Sequence, residues 1–543
     1  MTKRSVTHSF LLAVLFSTML AWTACAASAS AEPSMLITNA RIVDGAGNPW
    51  YGGSLLIRGD RIEAVGARLQ AEAGRVIDVG GRIVCPGFID VHNHCERGLL
   101  ESPDGQQVVR QGVTTLVGGP CGGSVVDMGA ALRTLDGLPL GPNVCLLAGF
   151  NAMRSRSMKG AQARPATEDE IRQICALMEK AMQEGAFGMS TGLKYAPFTE
   201  TAEVIAAAKV VAHYGGVHMS HIREEGRGVI EAVAELIRIS QESGVPGDIS
   251  HHKVTGLEVR GQSVTTLRLV DEARARGLDI TLDQYPYTAS STGLSVLLPT
   301  WAKSESAKTI AARYAEDPAY REKLRAAIVD IMIHDRAAED PARIVVAACA
   351  FDPSLNGKSL RQVLEEQGVE PTTARAADLV VQWNARGTVS CVYHSMDDAD
   401  VERILRHPAC MVASDGTVLK FGAGVPHPRS YGTFPRILGV YVRQKKVLSL
   451  EEAVRKMTSL PAQRMGLHDR GLLRPGLAAD LVIFDPDRII DRATFTDPHQ
   501  YPDGIDYVFV NGSLVVEHSA LTAARPGRAL RGPGLMSFDE RDR

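Results

Sequence analysis

Between residues 87 and 415, short apolar runs too brief for helices alternate with longer stretches of helical character. That alternation restricts the fold more than any other feature of the chain. The strand candidates are 87–92, 112–117, 144–148, 187–191, 216–221, 246–251, 278–283 and 411–415. Helical stretches at 168–184, 201–213, 229–243 and 265–276 fall between several of them. Eight strands joined by helices is the count that closes a (β/α)8 barrel, an α/β TIM-barrel fold. The long gap from Leu297 to Arg406 reads as extra helices inserted before the last strand.

The first strand carries a chemical signal. The run Ile83-Val84-Cys85-Pro86-Gly87-Phe88-Ile89-Asp90-Val91 bends at Pro86-Gly87 and ends in His92-Asn93-His94. Side chains alternate across a strand, so His92 and His94 share a face and can offer two imidazole nitrogens to one ion.

Outside the barrel, Lys3 and Arg4 precede an apolar stretch at 10–22, and Ala29-Ser30-Ala31 supplies small residues for cleavage. Residues 1–31 therefore read as an export signal peptide, giving a periplasmic or secreted protein; lipid anchoring through Cys25 is the alternative. No later apolar run is long enough to span a bilayer. A net charge of −3 that becomes more acidic once Lys3 and Arg4 are removed gives no basic footprint for nucleic acid. The nine cysteines lack the dense spacing of a disulfide scaffold. Short strand-like runs at 36–79 and again at 480–516, the latter with Asn511-Gly512 as a hairpin turn, suggest that both chain ends build one β-sandwich. The expected layout is sandwich at 32–85 and 466–543, barrel at 86–465, and an insertion at about 297–406.

Polar residues gather at the carboxyl ends of the expected strands, where barrel loops converge on one mouth. His92 and His94 follow strand one, Cys121 strand two, Lys194 strand four, His221 strand five, His251 strand six, Asp283 and Tyr285 strand seven, and Asp415 strand eight. His218 and His252 lie at odd offsets from His221 and His251 and should face away.

With these positions the chain resembles the amidohydrolase superfamily and, within it, the N-acyl-D-amino-acid deacylases (D-aminoacylases). The resemblance runs through Gln111-Gly112-Val113-Thr114-Thr115, Ser220-His221-Ile222-Arg223-Glu224-Glu225-Gly226, Ser250-His251-His252-Lys253, Asp283-Gln284-Tyr285-Pro286-Tyr287, Ser414-Asp415-Gly416, His427-Pro428-Arg429 and Ala479-Asp480-Leu481. It implies a tightly held Zn2+ on Cys121, His221 and His251, with His92, His94 and Asp415 lining a second, weaker metal position. It also implies Asp415 as general base and acid, and Lys253, Tyr285 and Arg429 as ligands of the substrate's α-carboxylate. Lys194 follows Ser190-Thr191-Gly192-Leu193 and is placed by the resemblance near the substrate side chain, where it could favour polar or acidic groups. His394 falls where relatives carry apolar residues near the substrate. The expected partner is a small N-acyl amino acid. A dipeptidase, a cyclic-amide hydrolase of dihydroorotase or hydantoinase type, and a non-catalytic scaffold are the competing readings.

Overall fold

The structure, a computed structural model, describes residues 34–535. The 1–31 leader and Cys25 lie outside the described residues. Eight parallel strands form the barrel: β1 Phe88–Asp90, β2 Val113–Gly118, β3 Asn143–Leu146, β4 Gly188–Gly192, β5 Val217–His221, β6 Gly247–Ile249, β7 Ile280–Gln284 and β8 Cys410–Val412. The ladder runs from β1 through β2 to β3, passes by way of Ala148–Gly149 to β4, and continues in order to β8.

Closure between β8 and β1 lies just past the strand ends, where Gly416–Thr417 pairs in parallel with Asn93–His94. The amide of Asp415 donates to the His92 carbonyl at 2.9 Å. Beneath this pair, the buried Asp90 carboxylate accepts from the Ser414 amide (2.9 Å), the Ser414 hydroxyl (2.5 Å) and Asn93 Nδ2 (2.9 Å). Burial raises its pKa to about 6 even so. With the His92 amide at 3.4 Å, four donors on one carboxylate let a charge-bearing group sit in the closure seam.

The chain ends meet in a second body. Nine strands lie in one continuous sheet, in which Leu481–Phe484 pairs antiparallel with Ile83–Pro86 and so zips the C-terminal strands onto the N-terminal ones. Ile37, Leu55 and Ile62 from one end share a core with Leu481, Ile483 and Phe509 from the other. Asn511 and Gly512 form the expected two-residue hairpin loop, both at positive φ (46° and 76°), as a turn matching strand twist requires.

Two features depart from the sequence layout. The segment expected as extra helices also contains a three-stranded antiparallel sheet, Ser290–Gly293, Val389–Tyr393 and Ile344–Cys349, with its own core around Leu297, Leu324, Val380 and Trp383. It begins before residue 297. The helix Asp398–Arg406 packs instead against β8 and the barrel helix Ser263–Ala275. These strands are short and lie among helices, so their alternation is masked in sequence. The C-terminal tail also leaves the β-domain after Leu521. Val144 of β3 donates to Arg528, Leu530 donates back to Val144, and Gly532 donates to Gly185, so the tail lies along the barrel.

The eight described cysteines are all free. No helix among the described residues is long and apolar enough to cross a membrane.

Barrel and β-domain are joined by a buried charge. Asp480 Oδ2 accepts from Arg470 Nη1 (2.5 Å) and Asn143 Nδ2 of β3 (3.3 Å), and its Oδ1 from the Asn511 amide (2.7 Å). Asp480→Ala leaves the Arg470 guanidinium without this partner, and chemical denaturation should show a loss of about 3–5 kcal/mol, the usual cost of breaking a buried pair.

Candidate metal centre and substrate cavity

Six residues read from the sequence as ligands converge at the carboxyl ends of the barrel strands. Cys121 Sγ lies 3.5 Å from His92 Nε2, 3.7 Å from His221 Nδ1 and 3.5 Å from His251 Nε2. Asp415 Oδ1 lies 3.2 Å from His94 Nε2 and 3.5 Å from His92 Nε2. Three overlapping groups, His92–His94–Cys121, Cys121–His221–His251 and His92–His251–Asp415, each bring their ligand atoms within 4.8 Å of one another.

Backbone conformation produces this convergence. Cys121, His251 and Asp415 all adopt positive φ (56°, 37° and 48°), uncommon for residues with a side chain and found where surrounding structure over-determines it. The loop before Cys121 approaches β4 so closely that a Cβ on Gly192 would sit 2.2 Å from the Cys121 carbonyl oxygen. The His251 amide donates to Asp283 Oδ1 at 2.8 Å, and the Asp415 amide is held by the barrel-closing bond to His92.

Burial, above all, lowers the pKa of His92 to about 3 and of His251 to about 4, and holds His221 well below its usual value. All three imidazoles are therefore neutral near pH 7, the form that binds metal. Burial first, and the nearby Asp415 and Glu225 carboxylates after it, push the Cys121 thiol well up; a bound cation would supply the charge that lets it ionise. Burial acts to raise Asp415, but the Arg429 guanidinium foremost, with the surrounding imidazoles, holds its carboxyl well below the ordinary range.

A buried carboxylate that sequence reasoning passed over ties two of the candidate ligands together. Glu225 Oε1 lies 3.4 Å from His251 Nδ1, 3.6 Å from His221 Nε2 and 2.5 Å from Lys253 Nζ. It thus faces the ring nitrogens of His221 and His251 that point away from Cys121. In the sequence Glu224 and Glu225 are equivalent neighbours; in the fold Glu224 turns to Lys194 (2.6 Å) and Glu225 turns inward.

The groups open into a cavity of about 930 Å³ lined also by Lys253, Tyr285 and Arg429. Arg429 Nη1 lies 2.7 Å from Asp415 Oδ2, and its guanidinium sits 4.8 Å from the Tyr285 ring centre. Among the described residues the Tyr285 hydroxyl has the Met396 sulfur at 3.8 Å as its hydrogen-bond partner, a weak acceptor that leaves it available as a donor. Lys194 is not among the lining residues; its charge is matched by Glu224, and the neighbouring Tyr195 faces the cavity in its place. His394 also lies off the lining and packs on Phe495. His218 and His252 are spent on Thr191 and Thr266, each at 2.8 Å.

The match to a model of the amidohydrolase family extends over residues 75–516, and the chain belongs to that family. It is 36% identical to a D-aminoacylase of Alcaligenes xylosoxydans xylosoxydans over 521 residues, covering 91% of this chain and 97% of that protein. Identity to an N-acyl-D-glutamate deacylase of the same organism is also 36%, over 92% of this chain and 96% of the relative. A D-aminoacylase crystal structure superposes with a TM-score of 0.79 at 34% identity, covering 92% of this chain and 99% of the other. The N-acyl-D-glutamate deacylase of Bordetella bronchiseptica, solved with zinc and a phosphonate mimic of the tetrahedral intermediate, gives 0.78 at 33%, covering 92% of this chain and 100% of that one.

The donor set fits zinc. Tetrahedral Zn–S bonds of about 2.3 Å and Zn–N bonds of about 2.0–2.1 Å separate sulfur from nitrogen ligands by about 3.5–3.6 Å. The Cys121–His251 and Cys121–His221 separations are 3.5 and 3.7 Å. Carboxylates facing the second nitrogen of a ligand imidazole fix its orientation and raise its basicity. Glu225→Gln should therefore weaken zinc binding about 10- to 100-fold in a chelator competition, while Glu224→Gln leaves it unchanged.

Proposed function

We propose that this protein is an exported, zinc-dependent hydrolase that cleaves the amide bond of N-acyl-D-amino acids to a carboxylate and a free D-amino acid. The observation that carries the reading is one cavity lined by the Cys121–His221–His251 cluster, Asp415 and the side chains of Lys253, Tyr285 and Arg429. The substrate class is supported by the D-aminoacylase and N-acyl-D-glutamate deacylase relatives. Export rests on the leader at 1–31.

Cys121, His221 and His251 would hold the zinc, with His92, His94 and Asp415 lining a second position. When bound, zinc lowers the pKa of water toward neutrality and polarises a carbonyl oxygen. Asp415 lies between His94 and Arg429 and is ionised at neutral pH, so it accepts the proton of the attacking water. The same carboxyl returns that proton to the amine nitrogen as the C–N bond breaks.

Lys253 and Arg429 approach the Tyr285 ring, with Lys253 Nζ at 5.7 Å and the Arg429 guanidinium at 4.8 Å from its centre. A planar guanidinium, an ammonium and a phenol together suit one carboxylate. That cluster anchors the free acid end of the substrate and leaves the amide to reach Asp415. A cyclic amide without a free carboxylate would leave it unused.

Zinc-supplemented protein should hydrolyse N-acetyl-D-amino acids in preference to the L-enantiomers. Asp415→Asn should reduce kcat about 100- to 10,000-fold with zinc still bound, and Cys121→Ala should lose zinc and activity together. Equal hydrolysis of both enantiomers would remove the D-selective assignment, and no hydrolysis of either by zinc-loaded protein would remove the deacylase reading.

A further inference from the structure

The cavity contains one buried positive charge that the chemistry above leaves unused. Four cations line it: Arg97, Lys253, Arg336 and Arg429. Arg97 is exposed at the rim. Lys253 faces Glu225 and Arg429 faces Asp415, so each of those charges is matched inside the protein. Arg336 is 4% exposed, and no carboxylate of the described residues pairs with it. Its Nε is buried without a hydrogen-bond partner. The face of Tyr393, 5.3 Å from the guanidinium carbon, is the group that receives it. A guanidinium removed from water without a counter-ion is costly, and a cation–π contact offsets only part of that cost.

The chain is built to put Arg336 there. It belongs to the insertion, not the barrel, and follows the helix Pro318–Asp330, which ends in a π-helical turn at Ile331–Asp335. Such turns change the direction of a helix's side chains and often occur at functional sites. The turn is clamped to the barrel mouth by residues following β5 and β6. Arg227 reaches Asp330 (2.6 Å) and Asp335 (3.1 Å), and His334 Nδ1 lies 2.7 Å from Glu258. Gly256, at φ 101°, approaches so closely that a Cβ there would sit 2.1 Å from the His334 carbonyl oxygen. These contacts fix the segment ending at Asp335, and Arg336 follows it into the cavity wall.

We propose that Arg336 is a specificity-determining residue that binds a second carboxylate of the substrate, beyond the α-carboxylate assigned to Lys253, Tyr285 and Arg429. The preferred substrate is then a dianion, its second carboxylate carried either on the amino-acid side chain or at the end of the acyl group. This rests on the deacylase reading and deepens it. A carboxylate arriving with the substrate supplies the counter-ion that the fold withholds, with the planar match that favours arginine for this task.

Three matched substrates separate the sources: N-acetyl-D-leucine with one carboxylate, N-acetyl-D-glutamate with a second on the side chain, and N-succinyl-D-leucine with a second on the acyl chain. Wild-type protein should show its highest kcat/KM on one of the two dianions, and which one identifies the source. Arg336→Met should lower kcat/KM for that dianion about 10- to 100-fold, the range of a lost hydrogen bond to a charged group, and change N-acetyl-D-leucine by less than about threefold. Arg336→Lys should recover part of the loss. No preference for either dianion, or an equal fall on all three substrates in Arg336→Met, overturns the inference. Calorimetric titration of zinc-loaded protein with the same compounds separates this from failure of the deacylase reading. Tighter dianion binding that Arg336→Met abolishes, without turnover of any compound, upholds the second-carboxylate site while rejecting the deacylase. Equal binding of all three overturns the site.

Discussion

The hydrogen bond from the Asp415 amide to the His92 carbonyl closes the barrel and assembles its chemistry in one contact. A barrel must pair its last strand with its first, and here the pairing continues past both strand ends into the segments that carry Asp415, His92 and His94. The Asp90 carboxylate below, satisfied by Ser414 and Asn93, fixes the register of that seam. Loss of closure would therefore scatter His92, His94 and Asp415 as well as open the sheet. The positive φ at Cys121, His251 and Asp415 belongs to the same arrangement, since local strain persists only where a rigid frame imposes it.

Charge in the cavity is organised in pairs that share low-dielectric space. Glu225 serves Lys253 and two imidazoles; Asp415 serves Arg429 and the His92–His94 pair. Beneath them, burial raises Asp283 to about 7 while its Oδ1 still accepts from the His251 backbone. Water exclusion makes each of these contacts stronger than it would be at a surface, and makes an unmatched group conspicuous. The insertion matters for the same reason: Ser290, Ser291, Arg336 and Ser390 come from it or its flanks and complete a wall that the barrel alone leaves open.

Much of this was legible in the sequence because strand alternation is a strict rule. Within β5, parity separated His218 from His221, which lie three residues apart in one strand. Periodicity located all eight strands to within a few residues, and Asn511-Gly512 marked its hairpin because few residue pairs accept two positive φ values. Parity fails for loops. It could not tell Glu224 from Glu225, nor show that Lys194 spends its charge on Glu224 while Tyr195 meets the cavity. Arg336, far from any strand end, gave no periodic signal at all.

By itself the sequence determined the barrel and the strand ends that carry ligand-type residues, because those depend on spacing along one chain; the metal and substrate roles of those residues were implied by the family resemblance. Tertiary structure alone decided that the C-terminal tail lies against β3, that Glu225 faces the His221 and His251 imidazoles, and that an insertion folded around its own core delivers a buried guanidinium into the cavity. These are pairings between segments far apart in the chain. Their partners are selected by burial and charge in three dimensions, which no local pattern encodes.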